Sequence, residues 1–224
     1  MKTVAAVVIE RMAPLDLWGP IQAFQVAFAV NPDEPSRPDS TKPLYKVITL
    51  GKAKGPVPTG SGAGPAVMVD HSFSDNVDYD ILLVPGGQGT RDLVNDAGFI
   101  DSLKTACGRA DIIATVCTGA GLLAKTGILD GKEATSNKTA WSWVLEQSAK
   151  VNWNGAPRWV DLVDGARQTG IITSAGVSAG IDMALALIAK LDGEQVAENA
   201  SVIMEYRSLK DPAKDEFAYL CANR

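Results

Sequence analysis

The stretch Ile112-Ile-Ala-Thr-Val-Cys117-Thr-Gly-Ala-Gly-Leu-Leu123 decides how this chain folds. Its first five residues are apolar or β-branched with no polar alternation, the pattern of a strand covered on both faces. The run ends on Cys117, and Gly119 and Gly121 then lead into a predicted helix over 118–126. A strand that enters a helix through one cysteine and two glycines has the make-up of a nucleophile elbow, with Cys in the usual place of Ser. The sharp turn projects the sulfur beyond the sheet, and the glycines let neighbouring backbone come close. The free N–H groups and positive dipole end of the helix face the sulfur, so a thiolate with a lowered pKa is expected.

Outward from this segment, short apolar runs alternate with helical periodicity. Strands are predicted at 4–9, 44–50, 79–84, 112–116, 132–135, 159–163 and 171–174, with a shorter one at 66–69. Helices are predicted at 91–94, 98–108, 118–126, 139–149, 179–191 and 193–207. Residues 14–20 read as a loop, with Gly19-Pro20 opening a helix over 21–30, because proline suits a first helical position. Residues 31–43 read as a surface loop, and the Gly-rich 51–64 as a hairpin or extended loop. Alternating strands and helices predict one α/β domain over residues 1–224. Its expected form is a doubly wound, mostly parallel sheet with helices on both faces, a flavodoxin-like three-layer sandwich.

Composition narrows the function. With 46% hydrophobic and 21% charged residues over 224 positions, the balance is globular and excludes collagen-like or disordered chains. Net charge is −5 and no Lys/Arg block stands out, so a nucleic-acid partner is not expected. Three cysteines without a CxxC, and a single histidine, give no zinc site of the usual kind; the odd cysteine count fits a reducing compartment. No apolar run approaches the ~18 residues of a membrane span. A cytoplasmic protein without metal is expected.

In doubly wound sheets ligands sit outside the carboxyl ends of strands. Two ends stand out: Val84 into Pro85-Gly-Gly-Gln-Gly89, and Val116 into Cys117-Thr-Gly119. Cys107 and Cys221 lack such a position and read as packing residues. His71, in Val69-Asp-His-Ser-Phe73, reads as a solvated turn residue, so the proton partner of Cys117 is expected to be a carboxylate. Asp16, in Pro14-Leu-Asp-Leu-Trp-Gly-Pro20, is the candidate: it follows the first strand, has apolar neighbours, and should have a raised pKa from desolvation and like charge. Taken alone it reads first as a helix-flanking acid making turn hydrogen bonds. The Pro85–Gly89 segment has the character of a nest of backbone donors, with a simple tight turn as the alternative. Gly176-Val-Ser-Ala-Gly180 could close another wall, and Asp182 reads as structural. Trp18, Trp141 and Trp143 offer apolar cover for a pocket or interface, or plain core packing.

Together these motifs resemble the PfpI/ThiJ-like superfamily, a branch of the class I glutamine-amidotransferase-like fold. The carriers are Leu15-Asp-Leu-Trp-Gly-Pro20, Asp80-Ile-Leu-Leu-Val-Pro-Gly-Gly-Gln-Gly89, Val116-Cys-Thr-Gly119, Gly131-Lys-Glu-Ala-Thr135 and Ser174-Ala-Gly-Val-Ser-Ala-Gly-Ile-Asp182. Within the superfamily the chain is most similar to the isonitrile hydratases, in which an Asp of an Asp-Leu-x-Gly-Pro motif partners a Cys followed by Thr. Those positions are Asp16, Cys117 and Thr118. Stress-response members carry Glu where Asp16 stands. Amidotransferases use a His shortly after the elbow, and hydratases often show Thr-His-Trp there; this chain has Asn137.

The resemblance implies hydration of an isonitrile, R–NC, to an N-substituted formamide through a Cys117 thioimidate. Asp16 would act as general acid and base, the Thr118 hydroxyl would orient water, Gly87 and Gln88 would contact substrate, and no cofactor would be needed. It also implies a homodimer. A cofactor-independent glyoxalase-type cysteine enzyme and a non-enzymatic redox sensor or chaperone-like protein are the other readings. The same cassette serves as the sensing half of AraC-type regulators, but the mixed-charge tail after residue 207 gives no expectation of DNA binding.

Overall fold

Lys2–Val7 (β1), Tyr45–Gly51 (β2), His71–Ser72 (β3), Ile81–Val84 (β4), Ile112–Thr115 (β5), Trp159–Asp161 (β6) and Gly170–Ser174 (β7) form one sheet in the computed structural model, which describes residues 1–221. Their order is β6-β7-β5-β4-β1-β2-β3. Every neighbouring pair is parallel except β6 with β7. β4 and β5 are buried at all four positions each. That is why they read as unbroken apolar runs: helices cover both faces, and no side faces water.

The helices are Pro14–Gln25 (α1), Thr90–Leu93 (α2), Ala97–Cys107 (α3), Gly119–Lys125 (α4), Trp141–Leu145 (α5), Ala179–Asp192 (α6) and Glu194–Ile203 (α7). α6 packs on α1 and α7, while α4 packs on α2 and α3, so two helical layers flank the sheet. Leu17, Ile21 and Phe24 of α1 and Leu122 and Leu123 of α4 are fully buried. Each such side chain contributes about 1.5–3 kcal/mol of burial. The architecture is the doubly wound α/β sandwich expected from the alternation of elements.

Strand order explains where chemistry can sit. The chain leaves β1 for β2 on one side and returns to β4 on the other, so the winding reverses between β1 and β4. Such a reversal opens a crevice at the carboxyl ends of the strands. Register places Ala6 beside Leu83 and Val84 beside Thr115, so the ends of β1, β4 and β5 are adjacent.

Several boundaries differ from expectation. α1 starts at Pro14, not after Gly19, so residues 14–20 are helical and the helix ends at Gln25. Pro14 itself takes the first helical position, and Pro20 lies inside the helix. Pro20 has no N–H for the carbonyl four residues earlier. The buried apolar stripe of Leu17, Ile21 and Phe24 outweighs that loss. Within 31–43, Pro38–Pro43 pairs antiparallel with Phe28–Val30. The Gly-rich region resolves as a hairpin, Gly55–Pro58 against Ala66–Val69. The helix expected over 139–149 shrinks to a 3₁₀ turn, Lys138–Ala140, followed by α5, in keeping with the low helix propensity of its Thr, Trp and Val residues. Among the described residues no helix is long and apolar enough to cross a membrane.

Candidate active site

Cys117 lies between β5 and α4 with φ of 58°. This left-handed backbone costs a non-glycine residue roughly 1–2 kcal/mol. Two hydrogen bonds hold it: the Cys117 N–H donates to the Ala175 carbonyl at 3.1 Å, and its carbonyl accepts from Ser136 Oγ at 2.7 Å. A Cβ on Gly119 would collide with the Val84 carbonyl, so α4 can close on the end of β4 only through glycine. The turn is a strained elbow, over-determined by its surroundings.

Asp16 stands in the first turn of α1 and is 0% exposed. Its Oδ2 accepts from the Gly86 N–H at 3.0 Å. Oδ1 is equally buried and takes no well-aligned hydrogen bond, although the carboxyl is close enough to the Cys117 thiol to couple with it. Burial pushes the Asp16 carboxyl up to about 7, against the opposing pull of the Gly86 N–H and the thiol. The direction is the one its apolar neighbours predict, with desolvation the dominant cause.

The thiol behaves differently from expectation. Cys117 is 5% exposed, and burial, reinforced by the Asp16 charge, pushes it up to about 12 despite hydrogen bonds from the Thr118 N–H and the Asn137 amide. The predicted thiolate is therefore corrected to a neutral thiol. α4 spans only seven residues, and a helix terminus contributes about 0.3–1 kcal/mol, too little to offset desolvation. The pair is a neutral thiol facing a carboxyl raised towards neutrality, so a proton can pass between them as sulfur attacks.

The Pro85-Gly86-Gly87 turn connects the two sides. Gly86 N–H holds Asp16, and Gly87 N–H donates to Thr118 Oγ1 at 2.9 Å. These donors are occupied by protein groups and do not form an open anion nest. The Thr118 hydroxyl is likewise engaged, with the Thr90 hydroxyl 3.2 Å away; it is the backbone N–H of Thr118 that reaches the sulfur. A Cβ on Gly86 would stand 2.5 Å from Thr118 N, 2.6 Å from its Oγ1 and 3.0 Å from Asp16 Oδ2. Gly86→Ala is therefore expected to force the acid and the elbow apart. Turnover should fall by about a hundredfold, the scale associated with a small misplacement of reacting groups. Steady-state kinetics on a variant whose circular dichroism is unchanged checks this.

A cavity of about 310 Å³ opens on the sulfur, lined among others by Arg11, Gly87, Gln88, Arg91, Thr118 and Asn137. Asn137 Nδ2 donates to Cys117 Sγ at 3.2 Å. Its Oδ1 accepts from Thr139 N at 2.8 Å and Ala140 N at 3.1 Å, which fixes the amide's orientation. Sequence reading noted Asn137 only as a missing histidine; its contact with the sulfur bridges 20 residues and had no local signal. Arg91 was missed altogether. Removing the Asn137 donor by Asn137→Ala should lower kcat/KM by about tenfold to a hundredfold, the worth of a hydrogen bond to a charged group. A kinetic comparison with wild type measures it.

Other candidates stand apart. His71 is in β3, with β2, β1 and β4 between it and β5, and its Nδ1 is 3.6 Å from Asp75. Cys107 is buried in the core. Asp182 is held by Arg158 Nε at 2.7 Å, a structural ion pair. Trp141 is buried, Trp18 is 47% exposed, and Trp143 stacks under Arg91. No group of three metal-ligating side chains occurs among the described residues.

The chain is similar to known proteins over most of its length. The chain is 30% identical over 190 residues to an isonitrile hydratase of Pseudomonas putida, covering 82% of this chain and 79% of that protein. It is 26% identical over 154 residues to the glutathione-independent glyoxalase DJR-1.2 of Caenorhabditis elegans, covering 67% and 75%. A ThiJ/PfpI family protein from Pseudomonas syringae superposes with a TM-score of 0.73 at 28% identity, over 93% of this chain and 76% of that one. The DJ-1/PfpI family model matches residues 2–190, and with the strained cysteine elbow at the end of β5 it establishes that the chain belongs to the DJ-1/PfpI family.

Proposed function

We propose that the protein is an isonitrile hydratase, converting R–NC and water to R–NH–CHO. One observation carries the reading: a fully buried aspartic acid with a pKa near neutrality faces the elbow thiol, and the histidine of the chain is elsewhere. Isonitrile hydration needs a nucleophile and a nearby group that both takes and returns protons. Asp16 takes the thiol proton as Cys117 sulfur bonds to the terminal carbon, and that carbon receives the proton, giving the thioimidate R–N=CH–S. Water adds to the same carbon, and one of its protons passes through Asp16 to nitrogen, leaving R–NH–CH(OH)–S. Collapse breaks the C–S bond, releases the formamide as the hydroxyl oxygen becomes its carbonyl, and passes the hydroxyl proton through Asp16 to sulfur, restoring the thiol. Covalent attack divides one difficult hydration into easier steps. The Asn137 amide and the Thr118 N–H support negative charge on sulfur as it forms and leaves.

The Pseudomonas putida relative supports this reading. The glyoxalase relative favours a second one, in which the same thiol and acid act on a 2-oxoaldehyde. A redox-sensor role is disfavoured by the raised thiol pKa, since readily oxidised cysteines are exposed thiolates. The hydratase reading also takes the protein as a cytoplasmic homodimer, for which exposed Leu15 and Trp18 offer apolar surface. The test supplies an aryl isonitrile and methylglyoxal to one preparation, following formamide absorbance and aldehyde loss. Formamide formation supports the proposal; aldehyde loss alone transfers it to the second reading.

A further inference from the structure

We propose that Arg91 anchors an anionic group of the substrate, so that the Cys117 cavity selects small molecules carrying a carboxylate near their electrophilic carbon. The inference rests on the hydratase reading only in naming the class as carboxylate-bearing isonitriles. The chain carries a net charge of −5, yet among the described residues its cavity is lined by two arginines, Arg11 and Arg91, and by no carboxylate. Asp16 is buried and does not line the cavity.

The two arginines are in different states. Arg11 Nη1 pairs with Asp92 at 2.8 Å at the exposed rim. Arg91 has no carboxylate within ion-pairing distance among the described residues. Its guanidinium lies over the Trp143 ring, 4.2 Å from the centroid. Nη1 donates to the Gly87 carbonyl at 3.2 Å and to Thr90 Oγ1 at 3.0 Å. Stacking and neutral acceptors thus hold the head group in place without cancelling its charge. A guanidinium so placed presents a planar fork suited to a carboxylate. Gly87 and Thr90 also contact Thr118 Oγ1, so the anchor is built on the wall that positions the elbow. The cavity volume restricts the partner to a small molecule.

The experiment uses the full chain with Arg91→Gln and Arg91→Lys. The probes are formamidoacetate, the hydration product of isocyanoacetate, and its neutral methyl ester, with binding read by ligand-observed NMR titration. Wild type is expected to bind the carboxylate at least tenfold more tightly than the ester. Gln should erase that preference, and Lys should restore most of it. Equal affinities in wild type, no binding of the carboxylate, or a preference that survives in Arg91→Gln would each overturn the proposal. A purely structural role would weaken both probes alike. In parallel, kcat/KM is measured for isocyanoacetate and its methyl ester. Selective binding without turnover of either would sink the hydratase reading and leave the anchor standing; equal turnover of both would do the reverse.

Discussion

Cys117→Ala is expected to abolish isonitrile turnover, lowering kcat by at least about 10⁴, while the protein stays folded. Sulfur is the atom that bonds to substrate in the proposed reaction, and among the described residues no second thiol lines the cavity. The variant should accumulate no thioimidate adduct by mass spectrometry, where a slowly turned-over isonitrile labels wild type. Undiminished turnover would remove Cys117 from the chemistry. The same position makes a stability prediction. At φ of 58°, Ala inherits the backbone strain of Cys, but Gly does not. Cys117→Gly should therefore be more stable than Cys117→Ala by about 1 kcal/mol, although it buries less. Urea unfolding of the two variants measures the strain stored in the elbow.

Asp16→Asn has the second large effect, and it points two ways. Turnover should drop by about a thousandfold, the scale of losing a general acid and base. Stability should rise at alkaline pH. The folded-state pKa of Asp16 is raised from 3.8 to about 7. An acid with a raised folded pKa adds stability that is fully present below its unfolded pKa and is lost as pH rises through the folded one. Wild type should therefore lose stability between pH ~4 and ~7, by up to about 4 kcal/mol from this group. Asn, which stays neutral, lacks that slope. Unfolding free energies at pH 4.5 and pH 8 should converge at the lower value and separate at the higher. In wild type, kcat/KM should climb through about pH 7 as the carboxyl gains the capacity to accept the thiol proton. A flat profile across that range would remove Asp16 from proton transfer.

Much of this was readable along the chain because the determinants are local. The apolar runs at β4 and β5 need no partner to be recognised, and a cysteine flanked by glycines after such a run marks a turn. Asp16 was identifiable for the same reason, although its setting was misjudged: two prolines competed for the start of α1, and tertiary packing chose the earlier. What stayed hidden depends on contacts across the fold. The hold of Ala175 and Ser136 on the Cys117 backbone, the Asn137 amide on its sulfur, and the stacking of Arg91 on Trp143 join residues 19 to 58 positions apart. The thiol's protonation was misjudged because a sequence displays the helix beside a cysteine but not the depth of its burial.

The reacting pair joins the first turn of α1, which carries Asp16, to the end of β5, which carries Cys117, whereas Arg91 and Trp143 belong to the short helices α2 and α5. Catalytic parts and recognition parts thus lie on different elements and meet only through Gly87 and Thr90 at Thr118. A library confined to α2 and α5 that keeps Thr90 fixed would explore new substrate preferences while leaving the proton-sharing couple in place, which makes this scaffold a candidate for directed diversification from its mouth inward.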